Sequence, residues 1–170
     1  MNVPQLISDG TRERIPMLSA GNDVPLHAAL TEMPVALLDL APALDAAALL
    51  TGSRTLASAS FWTMLGALAS AGPTSISGAL EFLRIPAKDR AKGLALRHAA
   101  LSLAAAGLAT ASLLARRSPY QPSLTSLSLS ATAAGALAYA SYLGHQLVFR
   151  EGIRVVNSIL RAGDSQPASL

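Results

Sequence analysis

What most constrains this chain is how few charges it holds and where they stop. From Met33 to Leu80 the only charged side chains are Asp39, Asp45 and Arg54, too few to coat a water-facing surface. Across all 170 residues 14% are charged and 51% hydrophobic, whereas a soluble domain usually carries about 25% charged residues. The chain therefore reads as membrane-embedded. A hydrocarbon core of about 30 Å takes roughly 20 mostly apolar residues in a helix. Four stretches qualify: Met33 to Leu50, Thr55 to Leu83, Leu94 to Ala115 and Leu124 to Phe149. The expected fold is all-α, a four-helix transmembrane bundle with short polar terminal arms.

Short connections join these stretches, so sequence neighbours should pack antiparallel. The expected organisation is a cytoplasmic N-terminal arm over 1–32, a four-helix domain over 33–149 and a cytoplasmic tail over 150–170. Gly21 to Pro25 reads as a turn. The Gly72-Pro73 step predicts a kink in the second helix, because proline lacks the backbone donor and clashes with the preceding turn. The first apolar run begins too far into the chain, and carries Asp39, Pro42 and Asp45, to be a cleaved signal peptide. Ten of the thirteen Lys and Arg residues fall on the side of the termini and the helix 2–3 loop; Arg54, Arg116 and Arg117 fall on the other. The positive-inside bias then places both termini in the cytoplasm of a bacterial cell, with the protein in the inner membrane. This basic cluster reads as an orientation signal with some attraction to anionic lipid, and no nucleic-acid partner is expected.

Lipid tails are as apolar as leucine, so helices in a bilayer associate through close backbone approach at small residues and through interhelical hydrogen bonds. Gly66, Ser70, Thr74 and Gly78 form such a stripe on helix 2; Ser128, Thr132, Ala136, Ala140 and Gly144 form one on helix 4, and Ala99, Ser102, Ala106 and Ala109 one on helix 3. One tryptophan and three phenylalanines leave little bulk to wall a wide channel.

Chemistry has few carriers here. The absence of cysteine excludes thiolate iron–sulfur sites, covalent c-type haem and disulfides. No phosphate-binding loop, dinucleotide glycine pattern or nucleophile elbow is present, so no enzyme is expected. Asp39 and Asp45 interrupt the first helix at a cost of about 2.5–3.5 kcal/mol near the bilayer centre, so neither is expected to face lipid. Asp39 lies one heptad after Glu32, an acidic line descending from the surface that would suit proton or ion transfer. The three histidines gather on one side: His27 before helix 1, His98 one turn into helix 3 and His145 near the end of helix 4. His98 with His145, or with His27, suits the two axial ligands of a b-type haem or two ligands of a metal. Asp39 is a candidate to orient an imidazole, and Glu32 and Glu81 to complete a metal site. His27-Ala28-Ala29-Leu30 and His98-Ala99-Ala100-Leu101 hint at two duplicated hairpins related by an axis along the membrane normal.

Three segments also carry a family resemblance. Val24-Pro25-Leu26-His27-Ala28-Ala29-Leu30-Thr31-Glu32-Met33-Pro34 with Leu37-Leu38-Asp39, the stretch Leu94 to Leu101, and Tyr142 to Ile153 resemble, in order, three motifs of the bacterial predicted-membrane-protein family of domain-of-unknown-function 2231. Val24 stands where that family often has a further histidine, and Gly144-His145-Gln146 stands where it has Gly-Gly-His. That shift turns the imidazole about 100° around the helix. Some relatives carry a Rieske-type domain, so the resemblance implies a membrane redox context.

Together these features lead to the expectation of a small structural or accessory subunit. It would dock through its seams and arms onto other membrane subunits or a second copy, in a redox or photosynthetic complex. A haem-binding electron-transfer module and a proton- or ion-handling protein are the alternatives.

Overall fold

The computed structural model describes residues 19–20, 24–118 and 120–151. Two short strands, β1 (Ser19–Ala20) and β2 (Val24–Pro25), pair antiparallel with Ser19 opposite Pro25. Four helices follow: α1 (Leu26–Thr51), α2 (Arg54–Leu83), α3 (Arg90–Leu114) and α4 (Leu124–Phe149). The expectations for most of both terminal arms lie outside the described residues.

Helix α1 starts earlier than hydropathy alone suggests. His27 and Glu32 belong to the helix rather than to an arm, because the helix continues beyond the stretch apolar enough to seek hydrocarbon. Helix α3 likewise begins at Arg90, where the Asp89 carboxylate accepts the Ala91 N–H at 2.9 Å. At the start of α4, Ser123 and Ser126 form a reciprocal capping box that satisfies orphan N–H groups. The turn after α1 is closed by Gly52, at φ 69°, whose N–H reaches Ala48 O at 2.9 Å. That left-handed conformation favours glycine.

The helices associate as two hairpins, α1 on α2 and α3 on α4, which meet more sparingly along α1–α4 and α2–α3. Buried positions on α1 run Pro34, Leu38, Ala41, Asp45 and Ala48, alternating steps of four and three. The buried positions Ala91, Ala95, Ala105, Ala109 and Ser112 on α3 fit the same register. A seam of period 3.5 is the signature of left-handed knobs-into-holes packing. On α3 it runs through Ala105 and Ala109, so of the expected stripe Ala109 lies in the seam and Ala106 one residue beside it. The central core is small-residue packing around Leu38, Met64, Ala41, Ala67, Ala105, Ala109 and Ala133.

Two prolines sit on or beside the interhelical contacts. Pro34 cannot donate to Leu30 O, and the Thr74 hydroxyl of α2 donates to that carbonyl at 3.1 Å. Pro73 lies within α2, which stays helical from Arg54 to Leu83 across it. By length and composition α1 and α3 can cross a membrane. Helices α2 and α4 are as long but richer in Ser, Thr and Gly and fall short of that measure of apolarity.

Candidate functional site: two imidazoles across the bundle

Helices α1 and α3 begin at the same end of the bundle and lie diagonally across it. There the His27 and His98 rings meet with centroids 6.1 Å apart and planes at 86°. Each ring is held by the other helix of its own hairpin. His27 Nδ1 donates to Thr74 O at 3.0 Å, with Ser77 Oγ at 3.3 Å, and His98 Nδ1 donates to Ala140 O at 2.7 Å. A carbonyl only accepts, so the proton sits on Nδ1 of both rings. In the neutral ring that leaves the Nε2 lone pair for another partner.

In both hairpins a glycine follows the accepting carbonyl by four residues, one helical turn. A Cβ on Gly78 would come within 2.7 Å of His27 Cε1, and one on Gly144 within 3.3 Å of His98 Cε1. The two rings thus lie against bare backbone. Three of the four stripe residues of α2 touch α1: Gly66 lies against Leu37, Thr74 bonds Leu30 O and Gly78 faces His27. Ser70 instead bonds within its own helix, to Gly66 O and Ala67 O. On α4, Ala136 packs against the core, Ala140 supplies the carbonyl and Gly144 the space. This matched set of histidine, carbonyl and glycine gives the His-Ala-Ala-Leu repeat a physical content.

The opposite end of the diagonal carries a different pair. Asp45 and Arg116 each follow the histidine of their own hairpin by 18 residues, five helical turns or about 27 Å, so each falls on the same face as its histidine. Arg116 Nη2 donates to Asp45 Oδ1 at 2.8 Å and to Ser60 Oγ at 3.0 Å. Ser60 Oγ also lies 2.5 Å from Asp45 Oδ1, Ser130 Oγ donates to Oδ2 at 3.3 Å, and Arg116 Nη1 donates to Tyr120 O at 3.1 Å. Both charged side chains are essentially fully buried. The pair links α1 and α2 to the α3–α4 connection and to α4. Arg116 was expected in an exterior loop, counted only for its charge; hydropathy gives no sign that an arginine beside a turn folds back into the bundle.

The remaining acidic candidates are not gathered. Glu32 and Asp39 are exposed on α1, Glu81 is half-buried on α2, and Asp45 is ion-paired at the far end. Asp39, a candidate to orient an imidazole, lies beside the buried register of α1, which passes through Leu38 and Ala41. The imidazoles are oriented by backbone carbonyls rather than by that carboxylate. His145 is exposed and packs on Phe149 with ring centroids 4.2 Å apart, away from the His27–His98 pair. Among the described residues no cluster of three or more His, Asp or Glu is placed to hold a metal ion.

What the arrangement offers chemically is two imidazoles, fixed in one tautomer, on perpendicular planes. Two imidazoles bound to opposite sides of one metal, with metal–nitrogen bonds of about 2.0 Å, hold their ring centres roughly 6 Å apart. Metal-ligating histidines commonly donate their other N–H to a backbone carbonyl, as both do here.

No curated protein and no solved structure matches the chain. The profile of the family described as "Predicted membrane protein (DUF2231)" matches residues 23–157, spanning all four helices and both histidine-bearing segments. The chain belongs to the DUF2231 family of predicted membrane proteins.

Proposed function

We propose that this protein is a four-span protein of the bacterial inner membrane that binds one b-type haem between His27 and His98 and serves as an electron-transfer module. The observation that carries this reading is the ring pair itself: 6.1 Å between centroids, with each Nδ1 committed to a backbone carbonyl. A bare metal ion would need further protein ligands, and no third acidic or imidazole side chain stands with these two among the described residues. Haem brings four nitrogens of its own and asks the protein for two axial ones. The bare backbone at Gly78 and Gly144 fits a site in which ring positions are set closely.

The four-span topology rests on α2 and α4 running antiparallel to α1 and α3 at comparable length. Orientation with both termini in the cytoplasm rests on the end that carries Arg84, Lys88, Arg90, Arg97 and Arg150. The histidine pair then lies toward the cytoplasmic surface. The test is the visible spectrum of full-length protein purified in detergent from cells supplied with haem precursor. The expected result is a Soret band with one haem per chain and, on reduction, the sharp bands of a six-coordinate low-spin haem. His98→Ala should lose it and His145→Ala should keep it; a colourless protein from haem-replete cells overturns the reading.

A second reading, a small subunit of a larger membrane complex, is favoured by Asp39. Its carboxylate lies on the exposed face of α1 within a membrane-length helix, where facing lipid costs about 2.5–3.5 kcal/mol near the bilayer centre. A neighbouring subunit or a second copy that covers Asp39 removes that cost. Asp39→Leu should then release the protein from a complex resolved on native gels; a monomer in mild detergent for both proteins counts against this reading.

A further inference from the structure

The Gly72-Pro73 step leaves α2 without a long side chain beside α1. An open groove of about 410 Å³ lies there, between Leu26 and Leu30 of α1 and Pro73, Ile76 and Leu80 of α2. Its wall is apolar, because Ser77 on the same wall donates its hydroxyl to Thr74 O at 2.8 Å. From Gly72 to Leu80 the groove follows α2 for about 12 Å, close to the roughly 15 Å of hydrocarbon in one leaflet. A groove of that length and polarity takes one acyl chain.

The mouth of the groove is electropositive. Pro73, Ser77, Leu80 and Arg84 follow in steps of four, three and four, so Arg84 continues the groove side of α2 toward the end of the bundle. Arg84 keeps a helical backbone, at φ −83° and ψ −14°, and is exposed. Leu26 is the first residue of α1, so the same mouth lies at the positive pole of that helix, whose first turn carries no acidic side chain. The opposing pole, the C-terminus of α2, is offset by the Lys92 ammonium, which bonds Phe82 O at 2.6 Å and Ile85 O at 3.1 Å. Glu81 follows Thr74 by one heptad and so belongs to the inward register of α2 rather than to the groove.

We propose that this groove binds one anionic glycerophospholipid, with an acyl chain along the apolar wall and the phosphate at Arg84 and the first turn of α1. This rests on the four-span reading above and is independent of haem. The wall selects a hydrocarbon chain, since a polar group would be desolvated there without a partner. The mouth selects the headgroup. A zwitterionic lipid brings a cation of its own toward Arg84, whereas an anionic one keeps the full attraction, which for a single arginine is worth about fivefold in binding. A lipid seated there ties α1 to α2 beside His27.

The test is native mass spectrometry of the full-length protein released from nanodiscs of equimolar phosphatidylglycerol and phosphatidylcholine with the same acyl chains. The expected result is one lipid retained per chain, phosphatidylglycerol about fivefold over phosphatidylcholine. Arg84→Gln should keep the lipid and bring the ratio to parity. Gly72 is exposed, and a Cβ there meets nothing within 4 Å. Gly72→Phe therefore fills the groove and should lose retained lipid of both kinds; Ile76→Trp repeats the test one turn along if the first variant does not fold. Arg97→Gln, which removes an exposed cation of α3 at the same end, should change nothing. Unaltered protein that retains no lipid, or holds the two lipids equally, overturns the proposal. So does an Arg97→Gln effect as large as that of Arg84→Gln, which marks diffuse attraction to the basic end. Lipid retained in full by both groove-filling variants overturns the groove as its seat, and a lipid-free dimer assigns the groove to a second copy instead. Both leaflets have one composition, so the count does not depend on which end faces the cytoplasm. Failure of the four-span reading shows separately, as protein that does not enter the nanodisc.

Discussion

Replacing Arg116 with methionine leaves the Asp45 carboxylate buried without its counter-charge. The change removes donors at 2.8 Å to Asp45, 3.0 Å to Ser60 and 3.1 Å to Tyr120 O. Breaking a fully buried ion pair from one side costs about 3–5 kcal/mol. Ser60 and Ser130 still solvate the carboxylate, so the loss should fall at the lower end, about 3 kcal/mol. For a chain of this size that corresponds to a fall of roughly 6–12 °C in Tm. Replacing both partners by apolar residues, Asp45→Leu with Arg116→Met, should recover most of it, since a buried pair is worth little against well-packed hydrophobes. The assay is thermal unfolding of the full chain in detergent, arranged as a double-mutant cycle. The reasoning fails if Arg116→Met costs less than about 1 kcal/mol, or if the double variant is as unstable as the two single losses added.

Four further substitutions probe the end of the bundle that carries His27 and His98. Gly78→Ala brings a methyl within 2.7 Å of His27 Cε1 and should cost about 1–3 kcal/mol of stability, more than Gly144→Ala, where the closest approach is 3.3 Å; the order of their unfolding temperatures checks it. Thr74→Val removes the hydroxyl that serves the carbonyl freed by Pro34 and should cost about 1–2 kcal/mol while keeping the backbone oxygen that orients His27, so stability falls and any haem spectrum persists. Lys92→Met removes the ammonium that bonds Phe82 O at 2.6 Å and Ile85 O at 3.1 Å, and should loosen the end of α2 by about 1 kcal/mol, read as faster amide exchange near Leu83.

Hydropathy located α2 and α4 closely because a capping serine stands at the head of each: Ser53 accepts the Leu56 N–H and Ser123 the Ser126 N–H. It placed the start of α1 too late because the helix outruns the apolar stretch; a helix of period 3.5 is blind to whether Leu26 lies in water or lipid. The His-Ala-Ala-Leu repeat pointed to duplicated hairpins, and the matched carbonyls of Thr74 and Ala140 supply the reason. Which histidines meet was not legible. His145 sits at a suitable depth but on the exposed face of α4, and only the three-dimensional register puts His27 opposite His98. The Asp45–Arg116 pair escaped for a similar reason: its partners lie 71 residues apart, and no local pattern announces a contact across a bundle.

The central claim is that His27 and His98 bind one iron through perpendicular rings. Low-temperature electron paramagnetic resonance of the oxidised, haem-loaded protein tests it most directly, because the angle between two axial imidazole planes sets the anisotropy of a low-spin ferric centre. With the planes near the 86° seen here, a strongly anisotropic low-spin signal is expected, lost on His27→Ala and retained on His145→Ala. A high-spin signal, or a low-spin signal that survives loss of His27, would contradict the account.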